Sequence, residues 1–509
     1  MSLEELNRAI QDDKFPIPFT GHWICGEWVQ DKRSPVVGGS YNPSRDQLLT
    51  EISISKSIID QAVEAGTKAA PKLSVLPLEK RLGIIEQFRH LIADFEQLIT
   101  LVLAKEAGKP AWEAKHDFDA AVGVLDEIIQ DGPDTISKIC QQYLLGGKPQ
   151  EVNLIPVGVT AILQNFSTPL NTVVQSFAAG ILAGCPLIIL TSCHAALMGR
   201  ILGYIIAKVE GPTGSANVLF GDFKNFVKLL QNREVKAVVY SGSREHCDSI
   251  RSDSSDFLDR QLLLQSGGKN SLIVDTSADI DEALKAVFFG TIKSAGQLNT
   301  STSRVFIPTS IRSEFTEKLT QIVRSLSIGP TDTKDAHVMG PLYSRKSVEK
   351  FLRFQTMAKR ESAETISWGK ALDLGTGGHF VTPGVHIFDE FDDTSSFQSN
   401  VFMCPDVAIY PYETMDQAVT WANTTNAPLV CSLYGDEKII REFLPQIEAP
   451  NVMLNEPTIG VRVQPTLTGK QLCGGHRVSG VGILSLLTYP QACHSSEEAK
   501  NIINSWPWA

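Results

Sequence analysis

The residues best placed to do chemistry lie in one polar turn, Ala295-Gly296-Gln297-Leu298-Asn299-Thr300-Ser301-Thr302-Ser303, which runs into the apolar strand Arg304-Val305-Phe306-Ile307. A tight bend at the head of a rigid strand exposes one side chain, and enzymes often hang a nucleophile there. The side chain in that place is Asn299, and a carboxamide is a very poor nucleophile. It reads either as a repurposed polar site or as a loop filler. Ser167, Ser301 and Ser303 carry hydroxyls, but no recognisable His/Asp pair accompanies them, so they read as turn hydroxyls. Cys404 and Cys473 read as buried thiols, with replacement nucleophiles as the alternative. His246 and His476 sit in glycine-bearing loops and read as surface or packing residues.

The chain that must position these groups has 509 residues, 43% hydrophobic and 20% charged, an ordinary globular composition. Its length suggests two to four domains. A formal net charge of −11 argues against a nucleic-acid partner, which needs a basic face. Lys and Arg form no dense clusters, which argues against a membrane surface. Nine cysteines are scattered without CxxC pairs, as in a reduced intracellular protein. No Cys/His ligand spacing repeats, so no zinc site is expected. The start is acidic and lacks an apolar core, so no secretory signal is visible. The most apolar stretch, Phe177 to Leu190, is too short to span a bilayer. A cytoplasmic protein is expected.

Along the chain, residues 1–19 read as a short helix and connector, and His22 to Val29 as an edge hairpin turning at Gly26. Ser55 to Lys72 and Pro77 to Gly108 carry helical apolar spacing, closed by Gly108-Lys109-Pro110. Ala111 to Gln130 opens another long helix, and Tyr143 to Pro149 reads as a strand and turn. From Val152 the pattern alternates between apolar strands (159–163, 187–190, 217–220, 237–240) and helices (169–183, 194–209). Strands separated by single helices imply right-handed crossovers and a parallel sheet. A second α/β run extends from about Leu262 to 460, with strands at 271–274, 305–307 and 407–410. Ile483 to Tyr489 reads as a last apolar strand.

Several stretches together resemble the landmarks of the NAD(P)-dependent aldehyde dehydrogenase superfamily. They are Gly108-Lys109-Pro110-Ala111-Trp112-Glu113-Ala114, Tyr240-Ser241-Gly242-Ser243, Leu264-Gln265-Ser266-Gly267-Gly268-Lys269-Asn270, Gly296-Gln297 followed by Arg304, Val401-Phe402, and Gly474-Gly475 with Ser479-Gly480. They occur in family order from about residue 20 to 490. The Gly-Lys-Pro-x-Trp-Glu-Ala run is especially similar to the N-succinylglutamate semialdehyde dehydrogenase branch.

The resemblance implies a reaction in which a cysteine thiolate attacks the aldehyde, a glutamate serves as base, and an asparagine amide helps hold the oxyanion. Residue by residue, this chain departs from each role. The cysteine of Gly-Gln-x-Cys falls at Asn299. The glutamate of Glu-Leu-Gly-Gly-Lys falls at Gln265, an amide of the same shape that cannot usefully accept a proton near neutral pH. The oxyanion asparagine falls at Ser167. Such groups act as a unit, so losing the nucleophile alone would be nearly as damaging as losing all three.

The family's cofactor devices depart as well. Its Lys-Pro-Ser is represented by Leu190-Thr191-Ser192, and the glutamate that holds the nicotinamide ribose falls at Asn400, two residues before Phe402. Its Gly-Ser-x-x-x-Gly, where a helix N-terminus meets the pyrophosphate, is Gly242-Ser243-Arg244-Glu245-His246-Cys247, so the second glycine has become Cys247. No cofactor is expected, with weak NAD or NADP binding left open.

The fold expected by resemblance is α/β. It has a Rossmann-type parallel-sheet domain (1–137 and 158–262), a second catalytic-type α/β domain (263–460), a β oligomerisation element (138–157 and 484–509), and a return segment (461–483). A homodimer or homotetramer is implied, or a hetero-oligomer with an active paralogue. The functional expectation is a scaffold, partner subunit or ligand sensor that has lost aldehyde oxidation. The alternative is an active oxidoreductase or hydrolase using non-standard residues such as Cys404 or Cys473.

Overall fold

The computed structural model describes residues 1–142, 149–333, 335–361, 364–460, 470–473 and 480–494. Two seven-stranded sheets organise them. In the first, the order is Gln261–Ser266, Val235–Gly242, Val159–Gln164, Leu187–Ser192, Ala216–Gly221, His22–Ile24, Glu27–Val29. The first five strands run parallel and the edge hairpin antiparallel, as the alternation at 22–29 predicts. All six residues of Val159–Gln164 are buried. Helices cover both faces of such a strand, so it reads as a continuous apolar run and not as an alternation.

The second sheet has the order Glu364–Ser367, Gly384–Ile387, Asp406–Tyr412, Thr302–Pro308, Asn270–Val274, Val430–Tyr434, Asn451–Leu454. Only the edge strand Glu364–Ser367 is antiparallel. Pro149–Pro156 pairs antiparallel with Thr488–His494 in a separate ribbon.

Three elements differ from the sequence reading. The helical run 77–108 is two helices, Leu78–Asp94 and Glu96–Glu106, which part at Phe95, whose ψ of 19° is not helical. The helix opened at Ala111 continues to Gln142, so residues 138–142 of the expected β element are helical. Its apolar spacing persists, with Leu125 and Ile128 buried and Ile136 packed against the same core. Ile483 to Tyr489 is a short helix, Leu484–Leu487, before the strand starts at Thr488. Leu484 and Leu487 are both buried, a pairing three residues apart that a helix satisfies and an alternating strand does not. Residues 143–148, Gly474, Gly475, His476, Ser479 and the tail from 495 lie outside the described residues, as does 461–469 of the return segment.

Candidate functional site

The site is built where the C-terminal ends of the first sheet's strands meet the turn that feeds the second sheet. Ligands of open α/β sheets bind at such strand ends. Gln265 and Ser241 are register partners on neighbouring parallel strands. Asn299 reaches across to both, its Nδ2 donating to Gln265 Oε1 at 3.2 Å and to Ser241 Oγ at 3.5 Å. Gln265 is 2% exposed, and its own Nε2 is buried without a partner. Asn299 is half-buried at the cleft.

The turn is held in an unusual backbone path. Ser294, Ala295 and Gly296 all have positive φ, at 52°, 48° and 68°. A side chain on residue 296 would put a Cβ 2.3 Å from the backbone of Cys404, so only glycine fits. The strain at Ser294 is countered by a buried ion cluster. Lys109 Nζ donates to Glu113 Oε1 at 3.0 Å, Asp117 Oδ2 at 2.5 Å and Ser294 Oγ at 2.8 Å. Glu113 Oε2 accepts the Ser294 N–H at 3.0 Å. Lys293 Nζ adds an ion pair to Asp117 at 3.1 Å. Burial works against the Lys109 charge, but the Asp117 and Glu113 carboxylates outweigh it and hold the amine above its usual range. The cluster was readable as Lys109, Glu113 and Asp117 at spacing i, i+4, i+8, the lysine just ahead of the helix Ala111–Gln142 and the two carboxylates on one face of it.

Beyond the turn, the Asn299 carbonyl accepts from the Gly268 N–H and from Asn270 Nδ2, each at 3.0 Å. A Cβ on Gly268 would lie 2.4 Å from Leu429. Gln297 spans the loop, its Nε2 donating to Ser294 O at 2.8 Å and its Oε1 accepting from the Tyr343 N–H at 3.1 Å. These retained landmarks serve backbone geometry.

Ser167 is not joined to the Asn299–Gln265 pair by any hydrogen bond. It lies half-buried in a turn closed by Asn165 Oδ1, which accepts from the Thr168 N–H at 2.8 Å. Ser303 Oγ donates to the Asn270 carbonyl at 3.1 Å, while Ser301 Oγ is buried without a partner. Burial pushes the Cys473 thiol up to about 12. Burial and then the Asp406 carboxylate push Cys404 well above its ordinary range. Neither is a thiolate at neutral pH, so neither is poised to attack.

The helix Arg244–Asp253 begins where a phosphate could meet a helix N-terminus. Two N–H groups there are taken up locally. The Ser243 N–H donates to the Tyr240 hydroxyl at 3.1 Å, and Ser243 Oγ accepts the His246 N–H at 3.3 Å. Tyr240 O–H also meets His246 Nδ1 at 2.9 Å, and the His246 ring stacks on Phe223 at 3.6 Å. A Cβ at Gly242 would lie 2.1 Å from that same hydroxyl. Cys247 is buried against this helix's core face. Leu190 is fully buried in the sheet, and Ser192 Oγ accepts the His194 N–H at 3.3 Å. Asn400 Nδ2 donates to the Ser396 carbonyl at 2.7 Å, within its own helical turn. Phe402 stacks on Phe354 with centroids 3.6 Å apart. The sequence signal for the occupied Ser243 N–H was one hydroxyl, tyrosine at 240 where the similar motif carries phenylalanine.

A sequence profile described as "Aldehyde dehydrogenase family" matches residues 28–495. N-succinylglutamate 5-semialdehyde dehydrogenase of Vibrio cholerae serotype O1 is 24% identical over 482 residues, covering 94% of this chain and 97% of the relative. The enzyme of that name from Hahella chejuensis is 23% identical, covering 94% and 96%. Among solved structures, aldehyde dehydrogenase from Bartonella henselae superposes with a TM-score of 0.86 at 22% identity, covering 94% of this chain and 99% of that one. The NAD+ complex of the Bacillus cereus enzyme gives a TM-score of 0.87 at 21% identity, covering 96% and 98%.

Proposed function

The chain belongs to the aldehyde dehydrogenase family, and we propose that within it this protein no longer oxidises aldehydes and acts as a scaffold, partner subunit or ligand sensor. The observation that carries the reading is the amide pair itself, with Asn299 Nδ2 on Gln265 Oε1 at 3.2 Å. Where the family's reaction needs a thiolate beside a carboxylate, this site has two neutral amides joined by one hydrogen bond, with Gln265 Nε2 left without a partner. An amide neither attacks a carbonyl at a useful rate nor takes up a proton near neutral pH. Ser167, with a hydroxyl in place of an amide, makes no hydrogen bond to the pair. The raised thiols of Cys404 and Cys473 weigh against a substituted nucleophile.

The residues present do not suit a dinucleotide held in the family's way. The N-cap residue Ser243 spends its own N–H on Tyr240, Leu190 offers no charge, and Asn400 is turned to its own helix. In this reading the protein assembles as a homodimer or homotetramer, or with an active paralogue, through the ribbon of Pro149–Pro156 and Thr488–His494. Among the described residues no helix is long and apolar enough to cross a membrane.

The test pairs an assay with a binding measurement on the purified full chain. Semialdehydes should give no aldehyde-dependent NAD(P)H. NAD+ and NADP+ should leave the melting temperature flat, since a ligand bound only by the folded state must raise it. Turnover with any semialdehyde would overturn the loss of activity. A dinucleotide-dependent rise without turnover would convert the scaffold into a sensor.

A further inference from the structure

The helices packed on the first sheet enclose a cavity of about 190 Å³ that has no part in the site above. Its wall is Trp23, Ile84, Phe177, Ile181, Ile206 and Val209, and the loop 211–216 closes the rest. These side chains come from the edge strand His22–Ile24, the helices Leu78–Asp94, Pro169–Ala183 and Ala196–Ile206, and the turn after the last of them. Ile84, Phe177, Ile181 and Ile206 are each at most 7% exposed and belong to one core, against which Trp23 and Val209 also pack. No charged side chain lines the cavity, and neither do Asn299, Gln265 or Ser241. Thr213, Ser215 and the Trp23 indole supply the only polar side-chain atoms of the lining, and the Ser215 hydroxyl is spent on the Pro212 carbonyl at 2.7 Å. Interiors are packed closely, with few voids larger than a water. One water needs only about 15 Å³ and two or more polar partners, so water alone does not suit this space.

We propose that this cavity binds an uncharged compound with a single aromatic ring, of the size of benzene or phenol. Volume sets the size, since a cavity of about 150 Å³ lined by Leu, Ile and Phe stays dry and takes up benzene. The absence of charge in the wall sets the polarity, because a carboxylate or ammonium carried inside would be buried without a partner. The aromatic residues set the shape. Phe177 is paired with Phe88, ring centres 4.1 Å apart, and Trp23 with Trp28 at 5.6 Å, so an incoming ring joins existing aromatic pairs. Ring pairs gain more than the area they bury, which an aliphatic chain does not. Small residues leave the way in. Gly211 is exposed, and a Cβ there would come within 3.2 Å of Ile84 Cδ1, so any side chain at 211 narrows the cavity beside that wall. Ala207, also exposed, lines the same space. Binding here is non-covalent and stands whether or not aldehyde oxidation is lost.

The test titrates the purified full chain with benzene, phenol, benzoate and hexanol, following the melting temperature and the heat of binding. Benzene and phenol should raise the melting temperature saturably, by about 1 °C or more, because only the folded chain has the cavity. Benzoate, which carries a charge, and hexanol, which lacks a ring, should bind about tenfold more weakly or not at all. Gly211→Val should weaken benzene and phenol by about tenfold or more. Ala207→Phe narrows the same space from an exposed helix end and should do likewise, so the reading survives if one variant folds poorly. Four outcomes would overturn the proposal: no saturable response to either aromatic compound, a response to benzoate as large as that to phenol, equal binding of hexanol, or wild-type affinity in both folded variants.

Discussion

The amide of Asn299 donates to Gln265 Oε1 at 3.2 Å, linking the turn ahead of the second sheet to the edge strand of the first. A thiolate and a carboxylate in these places would repel one another and draw in a proton or a substrate. Two amides instead share one hydrogen bond, which leaves Gln265 Nε2 buried without a partner. The backbone beneath them is unchanged in purpose, since the Asn299 carbonyl is clasped by Gly268 and Asn270 whatever side chain residue 299 carries.

Restoring sulfur alone should therefore fail. Asn299→Cys places a thiol at the turn, but Gln265 cannot serve as its base and the helix end at Ser243 remains capped by Tyr240. The expected outcome is covalent labelling of residue 299 by an electrophilic thiol probe without aldehyde-dependent NAD(P)H formation. Appearance of turnover in that single variant would show that the dinucleotide is held by contacts other than those at Ser243, Leu190 and Asn400.

Gly296→Ala should damage the turn far more than any exchange at 299. Its φ of 68° already disfavours a side chain, and the added Cβ would meet the Cys404 carbonyl group at 2.3 Å. Backbone cannot yield as a side-chain tip does. We expect a loss of several kcal/mol, above about 3, read from denaturant midpoints. A loss below about 1 kcal/mol would mean that the 404–405 backbone can move aside.

The sequence made the sheet strands legible because buried parallel strands are unbroken apolar runs, as at Leu187-Ile188-Ile189-Leu190. It made the glycines of the site legible because close backbone approach leaves no substitute, as at Gly268 and Gly296. What it hid were contacts between distant segments. Nothing local marks Ser241 as the second acceptor for Asn299, since the two are 58 residues apart and meet only through strand register. Helix ends were equally opaque. The break at Phe95 and the extension to Gln142 both follow from packing against a core shared by several helices.

Removing the charge at Lys109 should unfasten the turn from the helix Ala111–Gln142. In Lys109→Met, Glu113 and Asp117 stay buried while Lys293 and the His116 ring remain to face Asp117. Breaking a buried pair by deleting one partner costs about 3–5 kcal/mol. Chemical denaturation should show a loss of that size, with Lys109→Arg recovering part of it if the guanidinium fits. A change under about 1 kcal/mol would show that Ser294 and Ala295 hold their left-handed path unaided.

Glu106 should give the fold a pH dependence of its own. Its carboxylate is 4% exposed and accepts the N–H groups of Leu197 and Met198 at 2.8 and 2.9 Å, at the start of the helix Ala196–Ile206, and the Ser40 hydroxyl at 2.5 Å. Those bonds favour the charged form, but burial outweighs them and pushes the carboxyl up to about 7. A carboxyl raised in the folded state binds its proton more tightly there than in the unfolded chain. Its contribution is then complete below the unfolded value near 4.5 and is lost as pH climbs towards 7. At about 1.4 kcal/mol per pH unit the loss is ~3 kcal/mol. Glu106→Gln has no proton to lose, so its stability relative to wild type should improve by about that much between about pH 4.5 and 8. Parallel stability curves for the two proteins over that range would show that the three donors keep Glu106 ionised in the folded state, as they would in a wetter site.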